Sequence, residues 1–199
     1  MSPPVGDGND DPGRPAEPDR RGADSPRRGG SHRAPGKRSR PQYGGHSAGS
    51  IRLVRIGAND FELVHPRQVM EVDLDYEEGL EIWKAGDPEA ARDALRYALA
   101  ACHDNLWVHV ALGQIALRDF RDPTLARGHF GYAVELAERA LPGGFTGRLP
   151  PERPNNRPFY EAIAGLAQCL EALGRVNDAR KLQALGDRLS RRGKNEDPS

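Results

Sequence analysis

The sequence has little of what several common protein classes require. Only two of its 199 residues are cysteine, Cys102 and Cys169, and each lies inside an apolar helical pattern. A disulfide framework is therefore not expected. No apolar stretch of about seven residues occurs near the N-terminus, and none approaches the length that spans a bilayer. These absences predict a cytoplasmic protein without a membrane segment.

Patterns that carry catalysis are also missing. The sequence has no Gly-rich phosphate loop, no Gly-x-Ser-x-Gly elbow and no recognisable Cys/His nucleophile arrangement. His65, His103, His109 and His129 include no pair at the i, i+4 spacing that, with further ligands, forms a helical zinc site. The sequence therefore predicts a non-enzymatic protein with no cofactor and no metal.

The N-terminal quarter has little apolar surface. Residues 1–50 contain ten Gly and eight Pro and almost no branched aliphatic residues. Burial there cannot offset an ordering entropy of roughly 1 to 2 kcal/mol per residue. We predict a disordered Gly/Pro/Arg-rich tail at residues 1–50 and a second disordered stretch at residues 191–199.

A formal net charge of zero conceals an uneven distribution. Residues 71–141 hold 14 acidic against 7 basic residues, whereas residues 25–40 carry six basic residues and no acid. The basic segment could contact nucleic acid through nonspecific phosphate contacts, or it could serve only to keep the protein soluble. Nucleic-acid association is therefore the alternative functional hypothesis.

Two β-prone runs follow the tail. Residues 51–56 and 61–65 flank the turn residues Gly57 to Asp60, which predicts a β-hairpin over residues 51–66 that ends at Pro66. Two strands alone are only marginally stable. We therefore expect the hairpin to pack on the rest of the chain or on a partner.

From residue 72 onward the apolar residues recur at helical spacing. Leu74, Leu80, Ile82 and Trp83 are predicted to share one face of the first helix. Two later helices begin at Asp-Pro pairs, where the Asp can cap the helix and the Pro occupies its first position. A Pro/Gly/Arg-rich loop at residues 142–158 then precedes two further predicted helices.

The helical region repeats itself. Gly79 and Gly113 are 34 residues apart, and one inserted residue near Phe120 brings the later pairs to 35. Those later pairs are Asp87 and Asp122, Ala91 and Ala126, Leu95 and Phe130, and Ala98 and Ala133. A fixed period of this length indicates a stack of similar structural units.

The repeated positions resemble those of the tetratricopeptide repeat (TPR) family over roughly residues 72–190. The resemblance rests on Glu78-Gly79, Gly86-Asp87, Ala91, Leu95 and Ala98 in one copy, on Leu112-Gly113, Ala126, Phe130 and Ala133 in a second, and on Leu166-Ala167, Gly174-Arg175 and Ala179 in a weaker third. Gln183 and Gly186 depart from the apolar or small residues expected there. A generic antiparallel helical bundle is the alternative fold.

The resemblance implies an all-α, TPR-like solenoid of three helix pairs that binds a protein or peptide partner without chemistry. The first helix of each pair would line a concave face, where a partner segment is commonly held. The residues predicted to face it are Tyr76, Leu80, Trp83, Trp107, Val110, Gln114, Arg118, Glu161 and Gln168.

Three alternatives stay open at this point. Trp83 and Trp107 fit core positions equally well, because large aromatic residues on helices are usually buried. The loop at residues 142–158 is a second possible contact region, although Phe145 and Leu149 could simply fasten it to the helices. Three pairs are near the minimum for a solenoid, so its ends could be closed by the hairpin, by the last helix or by self-association.

Overall fold

The computed structural model describes residues 50–191. The two predicted disordered segments, except for positions 50 and 191, and the basic segment at residues 25–40 lie outside the described residues. Within residues 50–191, no helix is long and apolar enough to cross a membrane.

The described part opens with the predicted hairpin. Strand β1 (Arg52–Arg55) pairs antiparallel with β2 (Phe61–Val64). The turn between them is closed by the Ile56 N–H, which donates to the carbonyl of Asp60 at 2.9 Å. The predicted hairpin is therefore confirmed.

Within residues 50–191, seven α-helices follow the hairpin, and a short 3-10 helix (Pro154–Asn156) precedes the sixth. The α-helices are α1 (Arg67–Glu71), α2 (Asp73–Lys84), α3 (Pro88–Ala101), α4 (Leu106–Arg118), α5 (Pro123–Arg139), α6 (Arg157–Ala172) and α7 (Val176–Ser190). Asp87, Asn105 and Asp122 each cap the helix that follows, with a side-chain oxygen that accepts from a first-turn N–H. Both Asp-Pro helix starts are confirmed, whereas α1, a helix of five residues, was not predicted.

The helices stack in chain order. Each helix from α2 to α6 packs against the next helix in the chain, and α4 also packs against α6. The pairs α2–α3, α4–α5 and α6–α7 therefore lie one upon another. This order confirms the predicted all-α stack of three helix pairs, with the hairpin in front of it.

Glycines at the repeat positions allow the close contacts inside the first two pairs. A Cβ placed on Gly79 would lie 2.7 Å from Leu95, and one placed on Gly113 would lie 2.8 Å from the ring of Phe130. Leu95 and Phe130 are 0% and 1% exposed. The small residue on the first helix thus makes room for the bulky residue on the second.

The predicted buried face of α2 is partly wrong. Leu74 is 80% exposed, whereas Val72 and Gly79 are buried and Trp83 is half-buried. The reason is geometric, because Leu74 and Leu80 are six positions apart, about 1.7 helical turns, and therefore lie on different faces. Leu74 consequently lies on the outward side of α2.

The hairpin belongs to the same folded unit as the helices. Ile51 and Leu63 are buried in the main core. Asn156, which is fully buried, accepts from the Leu63 N–H at 2.9 Å and donates to the carbonyls of Phe61 and Pro150 at 3.1 and 3.0 Å. One amide side chain thus satisfies three backbone groups and holds β2 at the start of α6.

The loop before α6 is packed rather than free. Arg148 is 7% exposed; its guanidinium donates to the Ser190 carbonyl at 2.8 Å and lies 3.3 Å from the carboxylate of Asp60. Leu149 is fully buried, and Phe145 meets Phe61 edge to face with ring centroids 5.1 Å apart. The loop therefore links the hairpin to the end of α7.

Candidate functional site

The side chains predicted to face a partner lie on α2, α4 and α6, the first helices of the three pairs. The structure brings four of them into one cleft, Gln114 and Arg118 from α4 and Glu161 and Gln168 from α6. We call this the concave cleft. It has a volume of about 220 Å³, and the remaining lining residues are Leu117, Phe130, Ala164 and Gly165.

Helical spacing explains why these polar side chains converge. Gln114 and Arg118 are one turn apart on α4, and Glu161 and Gln168 are two turns apart on α6, so each pair shares a helix face. Arg118, Glu161 and Gln168 are exposed, and Gln114 is half-buried. Packing of α4 against α6 places the two polar stripes on opposite sides of one cleft.

The floor of the cleft is formed by Phe130 of α5. Its ring passes between the two first helices, because both Gly113 and Gly165 lack the Cβ that would overlap it. Phe130 is 1% exposed, so it supports the cleft more than it offers contact area. The glycines therefore allow α4 and α6 to come close above a fixed aromatic ring.

Electrostatics connect the first pair to this cleft. Burial, and to a smaller extent the negative charges of Glu161 and Asp73, raise the pKa of Tyr76 to about 12. Glu161 of the third pair therefore acts electrostatically on Tyr76 of the first. Since α2 and α4 also share the lining of one cleft, and α4 and α6 that of another, the three first helices contribute to one face.

Part of that face is already covered. Tyr76 and Trp107 line a separate cleft of about 170 Å³ beside α1, together with Val69, Met70, Asp73 and Asn105. The imidazole of His65, at the end of the hairpin, lies on Trp107 with ring centroids 4.0 Å apart. Its Nε2–H donates to the carbonyl of Asn155 at 2.8 Å. The hairpin thus occupies one end of the concave face.

Three of the nine predicted residues serve packing in this structure. Val110 is 3% exposed and belongs to the core, so it is not available to a partner. Leu80 packs in the core of the first pair. The indole N–H of Trp83 donates to the Asp119 carboxylate at 2.9 Å, which ties α2 to the end of α4. One face of a helix includes both buried positions and positions at the edge of the core. Residue spacing alone does not distinguish the two.

A histidine pair lies elsewhere, between α4 and α5. The Nδ1 atoms of His109 and His129 are 3.4 Å apart, and His109 Nε2–H donates to the His103 carbonyl at 2.9 Å. Burial lowers the pKa of both imidazoles, and the charge of His109 helps to lower that of His129 to about 4. Both rings are therefore neutral at physiological pH.

The neutral pair has one consistent hydrogen-bond arrangement. The Nε2 of His109 carries the hydrogen that is donated to the His103 carbonyl, so the Nδ1 of His109 is an acceptor. The Nδ1–H of His129 therefore donates to the Nδ1 of His109. Across residues 50–191, no three His, Cys, Asp or Glu side chains are grouped so that they could hold a metal ion. We assign the pair a structural role.

Sequence reasoning missed several residues of the cleft. Leu117, Ala164 and Gly165 carry no distinctive signal, because apolar and small residues occur throughout the helices. Phe130 was identified as a packing residue but not as the floor of a cleft. Its position between α4 and α6 depends on the stacking of the second pair on the third, which no local pattern encodes.

Comparison with known proteins gives one structural match. No family model matches the sequence, and a search of curated proteins found no match. The solved second TPR of Spaghetti (RPAP3), bound to the HSP90 peptide SRMEEVD, is similar to this chain at 16% sequence identity and a TM-score of 0.46. The similarity covers 62% of this chain and 93% of that chain.

Proposed function

We propose that this protein binds an extended segment of another protein in the concave cleft. The observation that supports the proposal most directly is the cleft itself, which gathers two amide side chains and two opposite charges from neighbouring first helices. It is open to solvent on a face where Leu80, Trp83 and Val110 are packed and His65 covers Trp107.

The side chains of the cleft match the chemistry of an extended peptide. The amides of Gln114 and Gln168 each donate and accept, as do the N–H and C=O groups of a peptide backbone. Arg118 can pair with a carboxylate, and Glu161 can pair with a basic side chain. The two charges would therefore fix the direction in which the segment lies.

The floor adds a site for a small apolar side chain. Leu117 and Ala164 line the cleft beside the buried ring of Phe130. A volume of about 220 Å³ is below the range of small-molecule pockets, roughly 300 to 1,000 Å³. The cleft thus suits one anchoring side chain of a longer ligand, with backbone contacts on either side.

A displayed library of random dodecapeptides, selected on the full chain, tests the proposal. We expect selected peptides to lose at least about tenfold in affinity for Arg118→Ala and for Gln114→Ala/Gln168→Ala, since each change removes hydrogen bonds to the ligand. Arg127→Ala is the matched control, because Arg127 is exposed on α5 outside the cleft. Its affinity should equal that of the unsubstituted chain.

Circular dichroism and urea unfolding would show that the cleft variants remain folded. Trp83→Ala is a poor test, because loss of the bond to Asp119 would alter packing as well as the surface. Failure to select any peptide above background, or selected peptides that bind the cleft variants and the control equally, would refute the proposal.

A further inference from the structure

The outward side of α2 repeats a surface that is buried one pair further on. Leu74, Glu77, Glu78 and Glu81 each have a counterpart 34 residues later, at Val108, Ala111, Leu112 and Ile115 of α4. Those four counterparts are at most 3% exposed and pack in the core that α4 shares with the first pair. The corresponding face of α2 is therefore the face on which a preceding helix pair would lie.

This face, which we call the acidic end, is uncovered in the described structure. Leu74 is 80% exposed and Met70 of α1 is 81% exposed. Glu77, Glu78 and Glu81 are also exposed. Residues 67–84 contain six carboxylates against two basic groups, a net charge of minus four.

The opposite end of the stack carries the surface against which a following helix pair would pack. Ala179 of α7 corresponds to Ala126 of α5, and on that register Gln183 corresponds to Phe130. Phe130 is covered by α6, where Gly165 admits its ring. In the third pair the equivalent surface is a cleft of about 450 Å³ between α6 and α7, which we call the end cleft.

The end cleft is apolar at its base, and α7, which forms one of its sides, carries a net positive charge. Ile163 and Gly186 line it. Neither Arg180 nor Arg191 lines the cleft, but both are exposed and lie three and four residues from the lining residues Gln183 and Asp187, respectively. Residues 175–191 contain five basic and two acidic groups, a net charge of plus three.

The charged residues that line the cleft are acidic, and one of them, Asp187, already has a basic partner. Asp187 lies 3.5 Å from Arg191, and Glu171 accepts from Gln183 at 3.3 Å. Within residues 50–191, by contrast, no basic group lies within 4 Å of the carboxylates of Glu77, Glu78 or Glu81. A polar outer face alone would keep an end pair soluble. Opposite net charges at the two ends go beyond that requirement, because they attract each other.

We propose that copies of this chain associate head to tail, with the acidic end of one copy seated in the end cleft of the next. Leu74 and Met70 then cover the apolar base, and Glu77, Glu78 and Glu81 meet Arg180 and Arg191. The contact continues the internal stacking of helix pairs. Since it joins two different surfaces, it adds copies one after another unless the rotation closes a ring.

Sedimentation equilibrium of the full chain at about 10 mM and about 1 M salt tests this, because screening lengths are roughly 30 Å and 3 Å. We expect the mean mass to rise with protein concentration beyond a dimer at low salt. The association constant should fall more than about tenfold at high salt. A monomeric mass at every concentration and both salt levels overturns the proposal.

Charge exchange provides the specific test. Glu77→Lys/Glu78→Lys and Arg180→Glu/Arg191→Glu should each weaken self-association more than about tenfold, because each places like charges at the joint. The two variants mixed together should associate again, which a folding defect could not produce. Glu135→Lys/Glu138→Lys on α5 is the control with the same change in net charge, and it should associate like the unsubstituted chain.

Two outcomes would contradict the head-to-tail contact even if association occurs. If Glu77→Lys/Glu78→Lys abolished self-association but Arg180→Glu/Arg191→Glu did not, another basic segment, such as residues 25–40, would have to bind the acidic end. Association that survives both reversals would place the contact elsewhere. The reversed residues lie outside the concave cleft, so peptide binding there should be unchanged, and the two proposals can fail independently.

Discussion

Phe130 in the second helix pair and Gln183 in the third hold the same place in their repeats, yet their surroundings differ. The register is fixed by Ala126 and Ala179, both 0% exposed. Four residues after each alanine, Phe130 is 1% exposed, whereas Gln183 lies on the surface and donates to Glu171.

The difference shows that residue type at this position follows coverage by the next helix. The ring of Phe130 is covered because α6 packs on α5 and supplies Gly165 opposite it. In the described structure no helix packs on α7 at the position of Gln183. The same helical framework thus accommodates a core aromatic residue in one pair and a surface amide in the next.

The largest expected effect on stability is that of Phe130→Ala, for which the same change at Gln183 serves as the comparison. Phe130→Ala should lower the free energy of unfolding by about 3 to 5 kcal/mol, because it removes a buried ring from between two helices. Gln183→Ala should change it by less than about 0.5 kcal/mol, as for most exposed positions. Urea unfolding followed by circular dichroism measures both, and equal losses would show that coverage does not distinguish them.

The next effect concerns the residue that covers Phe130. Gly165→Ala adds a Cβ that would overlap the ring, so the ring or α6 must shift. We expect a loss of about 1 to 3 kcal/mol, typical of overpacking. The matched change Ala184→Gly on the exposed side of α7 should cost no more than about 1 kcal/mol, the difference in helix propensity.

A double variant tests whether the loss arises from contact with the ring. Phe130→Leu shortens the side chain, so Gly165→Ala should cost less in that background than in the unsubstituted chain. Residues in contact depart from additivity, whereas independent sites do not. Strict additivity would therefore show that the cost of Gly165→Ala arises in the helix itself.

Sequence patterns predicted the helices and their order because the signals are local. Asp87 and Asp122 carry their capping role within one turn. Gly79 and Gly113 mark close contacts that recur with the repeat. Leu74 was assigned to the wrong face, since an apolar residue at an exposed stack end looks like any core residue in the sequence.

The candidate site was predictable only in part, for a related reason. Spacing placed Gln114, Arg118, Glu161 and Gln168 on the first helices, and packing then brought them together. It did not predict that Trp107 would be covered by His65, because that contact joins the hairpin to α4 across about forty residues. Such contacts depend on how whole elements dock.

A pH-dependent difference between the pairs should be smaller. The second pair contains His109 and His129, whereas residues 157–191 contain no histidine. Burial lowers the pKa of His129 from 6.5 to about 4 and lowers that of His109 in the same direction. The unfolded chain therefore binds more protons than the folded chain below about pH 6.5, and stability falls as pH decreases.

We expect the urea midpoint to be constant above about pH 7 and to decline from pH 6.5 toward pH 5. The free energy of unfolding falls by at most about 1.4 kcal/mol per pH unit for each histidine. His129→Gln should make the decline shallower without abolishing it, because burial also lowers the pKa of His109 and His65. His103→Gln, which changes an exposed ring, should leave the decline unchanged. An unchanged slope in His129→Gln would show that other titratable groups cause the pH dependence.

The smallest effect is the most informative about the open end of the stack. Gln183→Phe restores at the third pair the residue type that the second pair buries, but no helix of the described structure packs over it. At about 1 M salt, where contacts between charged ends are screened, we expect the free energy of unfolding to change by less than about 0.5 kcal/mol. A gain of 1.5 kcal/mol or more, comparable with full burial of an aromatic side chain, would mean that the ring is covered. Urea unfolding at several protein concentrations would then identify the cover, since stabilisation by a second copy grows with concentration. Stabilisation by another part of the same molecule is independent of protein concentration.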